Sequence, residues 1–235
     1  MDHIPRRSAA GMCRHRLAPA RRWSQSWRRC RGLIAGSAAA AEWAASRLLL
    51  LIASLGVFSA AVPAMDIEVQ NNEVIMSGPV NGSECAQLGS ILRQNAIGVV
   101  VLTNSHGGNA DAGYCVGELI RQHRLATVIR GSCNSSCSRM WLGGVSRTLD
   151  GANSHVGLHS NYNRNGDLRS GAPARLRAWI PNYAPVNREL MEQWINLPEN
   201  KQMMYFYNDR AKLCDHGRCS ALPGWNARNA GLSTQ

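Results

Sequence analysis

A chain of 235 residues has room for one or two domains. Its net charge of +11 is unevenly spread. Residues 1–64 carry ten arginines against two acidic side chains, whereas residues 65–235 carry 16 basic and 13 acidic ones. The surplus lies in the leader, and the remainder has an ordinary surface charge that argues against a nucleic-acid partner.

The leader reads as a targeting segment. Arg47 precedes an apolar run from Leu48, and the run closes in small residues, with Val62 and Ala64 where a signal peptidase accepts them. Cleavage after Ala64 is expected, leaving residues 65–235 as a single domain in the periplasm or outside the cell. The run is short for a membrane span, so membrane contact is expected only through an uncleaved leader. Cys13 and Cys30 fall in the leader, and six cysteines remain. An even set in an oxidising compartment implies disulfides. Proximity pairs Cys133 with Cys137 and Cys214 with Cys219, which leaves Cys85 with Cys115.

Residues 66–70 and 73–76 alternate around Asn71-Asn72 and predict a β-hairpin. Residues 83–95 carry Cys85, Leu88, Ile91 and Leu92 at helical spacing. Residues 97–102 are continuously apolar, as in a strand buried on both faces. The loop Thr103-Asn104-Ser105-His106-Gly107-Gly108-Asn109 follows, with Asn109 placed to cap a helix over 110–124. Residues 126–130 predict the next strand. Gly131-Ser132-Cys133-Asn134-Ser135-Ser136-Cys137 then turns into a helix through Met140, Trp141 and Leu142. This strand–helix alternation implies a parallel sheet. In such sheets ligands gather beyond the carboxyl ends of the strands, so the 103–109 and 131–135 loops should share one rim.

Short strands are predicted at 145–150 and 155–159, a polar loop at 161–171, and helices at 174–179 and 187–197. Residues 201–207 are apolar and aromatic, predicting a helix or a packed segment. Cys214 to Cys219 reads as a stapled hairpin, and 226–230 as a closing short helix.

Taken together, Asn104-Ser105-His106-Gly107-Gly108, Cys133-Asn134-Ser135-Ser136-Cys137, Gly143-Gly144 and Val156-Gly157-Leu158-His159 resemble the Clp protease proteolytic subunit, and more closely its exported relatives in the ClpP/crotonase superfamily. The resemblance covers roughly residues 66–232 and is strongest from 97 to 159. It implies an α/β fold with a ClpP/crotonase-like parallel sheet and flanking helices. It places Ser135 as nucleophile, His159 as general base, and the Gly108 and Ser136 amides as the oxyanion hole. Asp209, in Asn208-Asp209-Arg210, resembles the family's orienting acid, with Asp215 as the alternative. The family has Pro where this chain has His106. Relatives form rings or trimers, so a homo-oligomer is a further expectation.

These residues predict acyl transfer by a serine hydrolase, with a peptide or other acyl substrate and no cofactor. The competing reading is an inactive, disulfide-braced binding or scaffold protein of the same fold. A zinc site is disfavoured: His155 and His159, four apart on a strand, stand about 13 Å apart at a rise of about 3.3 Å per residue.

Overall fold

The computed structural model describes residues 64–235. Residues 1–63, which hold most of the expected leader together with Cys13 and Cys30, lie outside the described residues. Among those described, no helix is long and apolar enough to cross a membrane.

The hairpin forms as β1 (Asp66–Gln70) and β2 (Glu73–Ser77), paired antiparallel, with Asn71 at φ 55° in the turn. Asn tolerates that left-handed conformation better than most residues. Next comes α1 (Glu84–Gln94). Its fully buried Glu84 accepts the Asn81 and Gly82 N–H groups at 2.7 and 2.8 Å, which fixes the loop before it. Then follow β3 (Val99–Ser105), α2 (Ala110–Gln122), β4 (Ala126–Asn134), α3 (Ser136–Leu142) and β5 (Arg147–Leu158). Asn109 caps α2 as its spacing predicts, accepting the Ala112 N–H at 3.1 Å.

All eight strands form one sheet in chain order. β2, β3, β4 and β5 are parallel, while β1 and the last three strands join antiparallel. The expected parallel sheet is thus the centre of a mixed one. The fold class is α/β, an eight-stranded sheet with flanking helices. Val74, Met76, Val100, Leu102 and Ile129 are fully buried in the core with Leu88, Ile120 and Trp141 from the helices.

Glycines let α2 and α3 come into backbone contact. A Cβ at Gly113 would lie 2.4 Å from Ser136 O, and one at Gly117 2.4 Å from Arg139 O. After β5 the chain builds α4 (Ala172–Trp179) and α5 (Arg188–Ile195). Trp179 packs edge-on against Tyr114 of α2, and Trp194 lies near Phe206 of the sheet. The chain then returns as β6 (Gln202–Phe206), β7 (Ala211–Asp215) and β8 (Arg218–Ala221).

Several expectations need correction. The two short strands at 145–150 and 155–159 are one, β5, exposed from Asp150 to Asn153. Residues 201–207 contain strand β6 rather than a helix; buried Met204 and Phe206 alternate with half-buried Met203 and Tyr205, the period of a strand. Residues 226–230 form turns: Asn226 caps one helical turn, closed by Ala230 N–H to Asn226 O at 3.1 Å, and the left-handed Gly231 at φ 76° ends it there.

The three disulfides join Cys85 to Cys115, Cys133 to Cys137 and Cys214 to Cys219. The first links α1 to α2, and the last joins directly paired residues of β7 and β8. The first closes a separation of 30 residues and the second one of 4. From loop-closure entropy, replacing Cys85 and Cys115 by Ser should cost about 4 kcal/mol, and replacing Cys133 and Cys137 about 2 kcal/mol. Denaturant midpoints of the two variants test that order.

Candidate functional site

Ser135 lies between the last residue of β4 and the first of α3, at φ 56° and ψ −123°. A residue with a Cβ occupies that region only when its surroundings hold it there. Here they do. Its N–H donates to Gly157 O at 2.9 Å. Its carbonyl accepts from Ser138 N–H at 3.0 Å, from the Ser138 hydroxyl at 2.6 Å and from the Arg139 guanidinium. The buried Cys133–Cys137 disulfide spans the turn.

Strand register brings His159 to Ser135. Asn134 of β4 is opposite Gly157 of β5, and the two strands are parallel. Their carboxyl ends therefore reach the same rim, and residues 24 apart in sequence meet. His159 Nε2 lies 2.6 Å from Ser135 Oγ. The loop after β3 closes on the same point. Gly107, at φ 89°, runs so close that a Cβ would sit 2.6 Å from Ser135 Cβ and 2.9 Å from Ser136 N. Gly108, at φ 148°, is equally confined, since a Cβ would lie 2.1 Å from Val80 O. The loop before α1 supports this turn, with Val80 N–H donating to Gly107 O and Asn109 N–H to Val80 O. Ser136 opens α3, a position where backbone N–H groups lack a helical acceptor.

These residues border a cavity of about 830 Å³. Gly108, Ser135, His159 and the exposed His106 are on its wall, with Asn161 and Tyr162 from the loop after β5.

His159 is 6% exposed, and its ring packs against Tyr162 at 4.9 Å between centroids. Burial, and next the charge of Arg139, push its pKa down to about 3, weakly opposed by backbone at Gln202 and Asn200. The imidazole is thus neutral across the physiological range and can accept a proton at Nε2. Its Nδ1 is buried with no hydrogen-bond partner among the described residues.

Neither candidate acid fills that position. Asp209 lies in the turn between β6 and β7, its side chain 67% exposed and paired with Arg210 at 2.8 Å. Asp215, at the end of β7, bonds the adjacent His216 at 2.7 Å. An Asp-Arg pair in a surface turn satisfies itself, and in this structure Asp209 makes no hydrogen bond to His159 Nδ1. Nor do the Cys and His residues of the zinc alternative converge. Cys133 and Cys137 are bonded to each other, and the His155 ring packs on Tyr205 and Tyr207.

Arg139 is the residue of this site with the weakest signal in the sequence. It is 2% exposed, and its guanidinium donates to Ser135 O, to His159 O at 2.7 Å and to Asn161 Oδ1 at 3.1 Å. It pairs with no carboxylate among the described residues. One buried cation therefore ties the backbone of the serine to that of the histidine. The only sequence signal is an arginine four positions after Ser135, beside the apolar Met140-Trp141-Leu142.

No family model and no curated protein matches the sequence. Several solved structures resemble its backbone. A ClpP1 mutant from Listeria monocytogenes is 15% identical over 69% of this chain and 89% of its own, with a TM-score of 0.46. A mutant of the membrane-bound stomatin-specific protease 1510-N is 14% identical over 68% and 75%, with a TM-score of 0.44. A protein described as an enoyl-CoA hydratase from Streptomyces coelicolor A3(2) is 11% identical over 77% and 70%, with a TM-score of 0.40. At these identities the chemistry of the site rests on this chain's own side chains.

Proposed function

We propose that residues 65–235 act, after export and removal of the leader, as a serine hydrolase of the peptidase type. The observation that carries this reading is the 2.6 Å contact between Ser135 Oγ and His159 Nε2, at a serine held in a strained turn against Gly107. Ser135 Oγ attacks a substrate carbonyl while its proton passes to Nε2. The Gly108 and Ser136 N–H groups take the negative oxygen. His159 returns the proton to the leaving group, and water then releases the acyl group from Ser135 by the reverse sequence. Three disulfides in the described residues fit an oxidising compartment.

The unpartnered His159 Nδ1 favours a second reading, a scaffold that retains the constellation without turnover. A triad acid fixes the tautomer and stabilises the imidazolium, and no described residue hydrogen-bonds Nδ1 to do either.

A fluorophosphonate probe separates the two. The folded protein should label at Ser135, and Ser135→Ala should not. Absence of labelling in the folded wild type would leave the scaffold reading alone. The labelling also has a characteristic pH dependence. An imidazole of ordinary pKa, about 6.5, loses about 30-fold of its neutral form between pH 7 and pH 5. His159, at about 3, loses almost none. Labelling rates at pH 7 and pH 5 should therefore agree within about twofold.

A further inference from the structure

We propose that this site takes substrates carrying a carboxylate near the scissile carbonyl, with Arg164 and Arg169 as the residues that select it; the assignment rests on the serine-hydrolase reading above. Both arginines are exposed on the wall of the cavity that contains Ser135 and His159. Neither is in an ion pair among the described residues.

The loop that presents them is folded rather than merely long. Tyr162 bridges to Leu168 and Asp167 to Glu199. Arg169 N–H donates to Asn161 O at 2.9 Å, and the Tyr162 hydroxyl to Leu197 O at 2.8 Å. The nearby acid, Asp167, accepts from the Asn163 side chain in the same loop and is not on the cavity wall.

The remaining charge of the site points the same way. Asp111 is the one acidic residue on the wall, and it is already paired with Arg175. Behind the wall, Arg139 adds a buried cation without a carboxylate partner. The wall itself thus carries two guanidiniums outside any ion pair and no carboxylate outside one, the exposed Asp167 and Glu199 lying off it. Low-dielectric walls concentrate the field of such charges on whatever enters. Guanidinium forks suit a carboxylate better than a neutral amide, because they can donate two parallel hydrogen bonds to it.

Two fluorophosphonates of equal length, one ending in a carboxylate and one in a carboxamide, test this on the full folded chain. The carboxylate probe should label Ser135 about tenfold faster at low ionic strength, and the advantage should shrink as salt is added. In Arg164→Gln/Arg169→Gln the ratio of the two rates should fall to about one. Arg164→Lys/Arg169→Lys should recover part of it, which separates charge from folding, and Lys212→Gln, on β7, should retain it. Equal rates in the wild type, or a preference that survives the double Gln variant, would overturn the assignment. Labelling by neither probe would instead remove the hydrolase reading itself. Peptide esters bearing the charge as an acidic side chain or as a free terminal carboxylate identify which source the arginines select.

Discussion

Ser135→Ala is expected to lower hydrolysis by about 10⁴-fold or more, His159→Ala by a similar factor, and the double variant by no further amount. On the proposed hydrolase mechanism Oγ and Nε2 act as one unit, because the hydroxyl is not a nucleophile until the imidazole takes its proton. The 2.6 Å contact makes that transfer direct. What survives in each variant comes from the amide donors of Gly108 and Ser136 and from substrate binding. Single and double variants measured on one activated ester check the non-additivity, and additive losses would show that the two side chains do not work together. Ser135→Gly adds a structural control. At φ 56° a side chain costs about 1–3 kcal/mol, and glycine relieves it. That variant should be inactive and melt at a higher temperature.

Arg139→Met should be the most destabilising single change near the site. It removes the donor to His159 O and Asn161 Oδ1 and one of three donors to Ser135 O, all buried. Leaving such acceptors unpaired costs about 1–3 kcal/mol each, so a loss of about 4 kcal/mol is expected. Arg139→Lys should rescue little, because one ammonium cannot span acceptors on three residues. Removing the guanidinium also removes a charge that depresses the His159 pKa. In an Arg139→Met protein that still folds, the acid limb of the labelling rate should therefore move toward neutral pH, whereas Arg139→Lys, which keeps the charge, should move it less. Denaturant unfolding and the labelling profile are independent checks.

The parts of the molecule readable in advance are those decided locally. The hairpin at Asn71-Asn72, the Asn109 cap and the stapled turn at Cys214 and Cys219 depend on residues within a few positions of each other, whereas the strand expected to stop at residue 130 runs on through Gly131 to Asn134 as β4, with a register shift at the glycine. The meeting of Ser135 and His159 was readable as topology, since two neighbouring parallel strands end at one rim. What could not be read depends on partners distant in sequence. Asp209 has the right neighbours in sequence, yet Arg210 holds it at the surface. Gly151-Ala152-Asn153 looks like a break, yet pairing with β4 on either side of it keeps β5 continuous. Arg139 looks like a surface charge, and only the burial of α3 against β5 and α2 makes it a tie between two backbones. Residues 201–207 carry no strong preference of their own until β5 offers an edge.

The strand order has a consequence for how such a chain assembles. Among the described residues each strand pairs only with its neighbours in sequence, and no disulfide reaches further than 30 residues. The strand pairing does not need the far end of the chain, although Arg147 at the start of β5 completes its backbone hydrogen bonds with Thr234. A polypeptide emerging amino-terminus first can lay down its strands as they arrive, each new edge templating the next, and can oxidise each cysteine pair as its second member appears. Sheets that pair remote segments must instead keep open edges until synthesis or threading is complete, exposed to aggregation. Here the long excursion between β5 and β6, which carries Arg164 and Arg169, follows the Ser135 turn and its Cys133–Cys137 disulfide in the chain, so one wall of the cavity is made by residues that emerge after the opposite one.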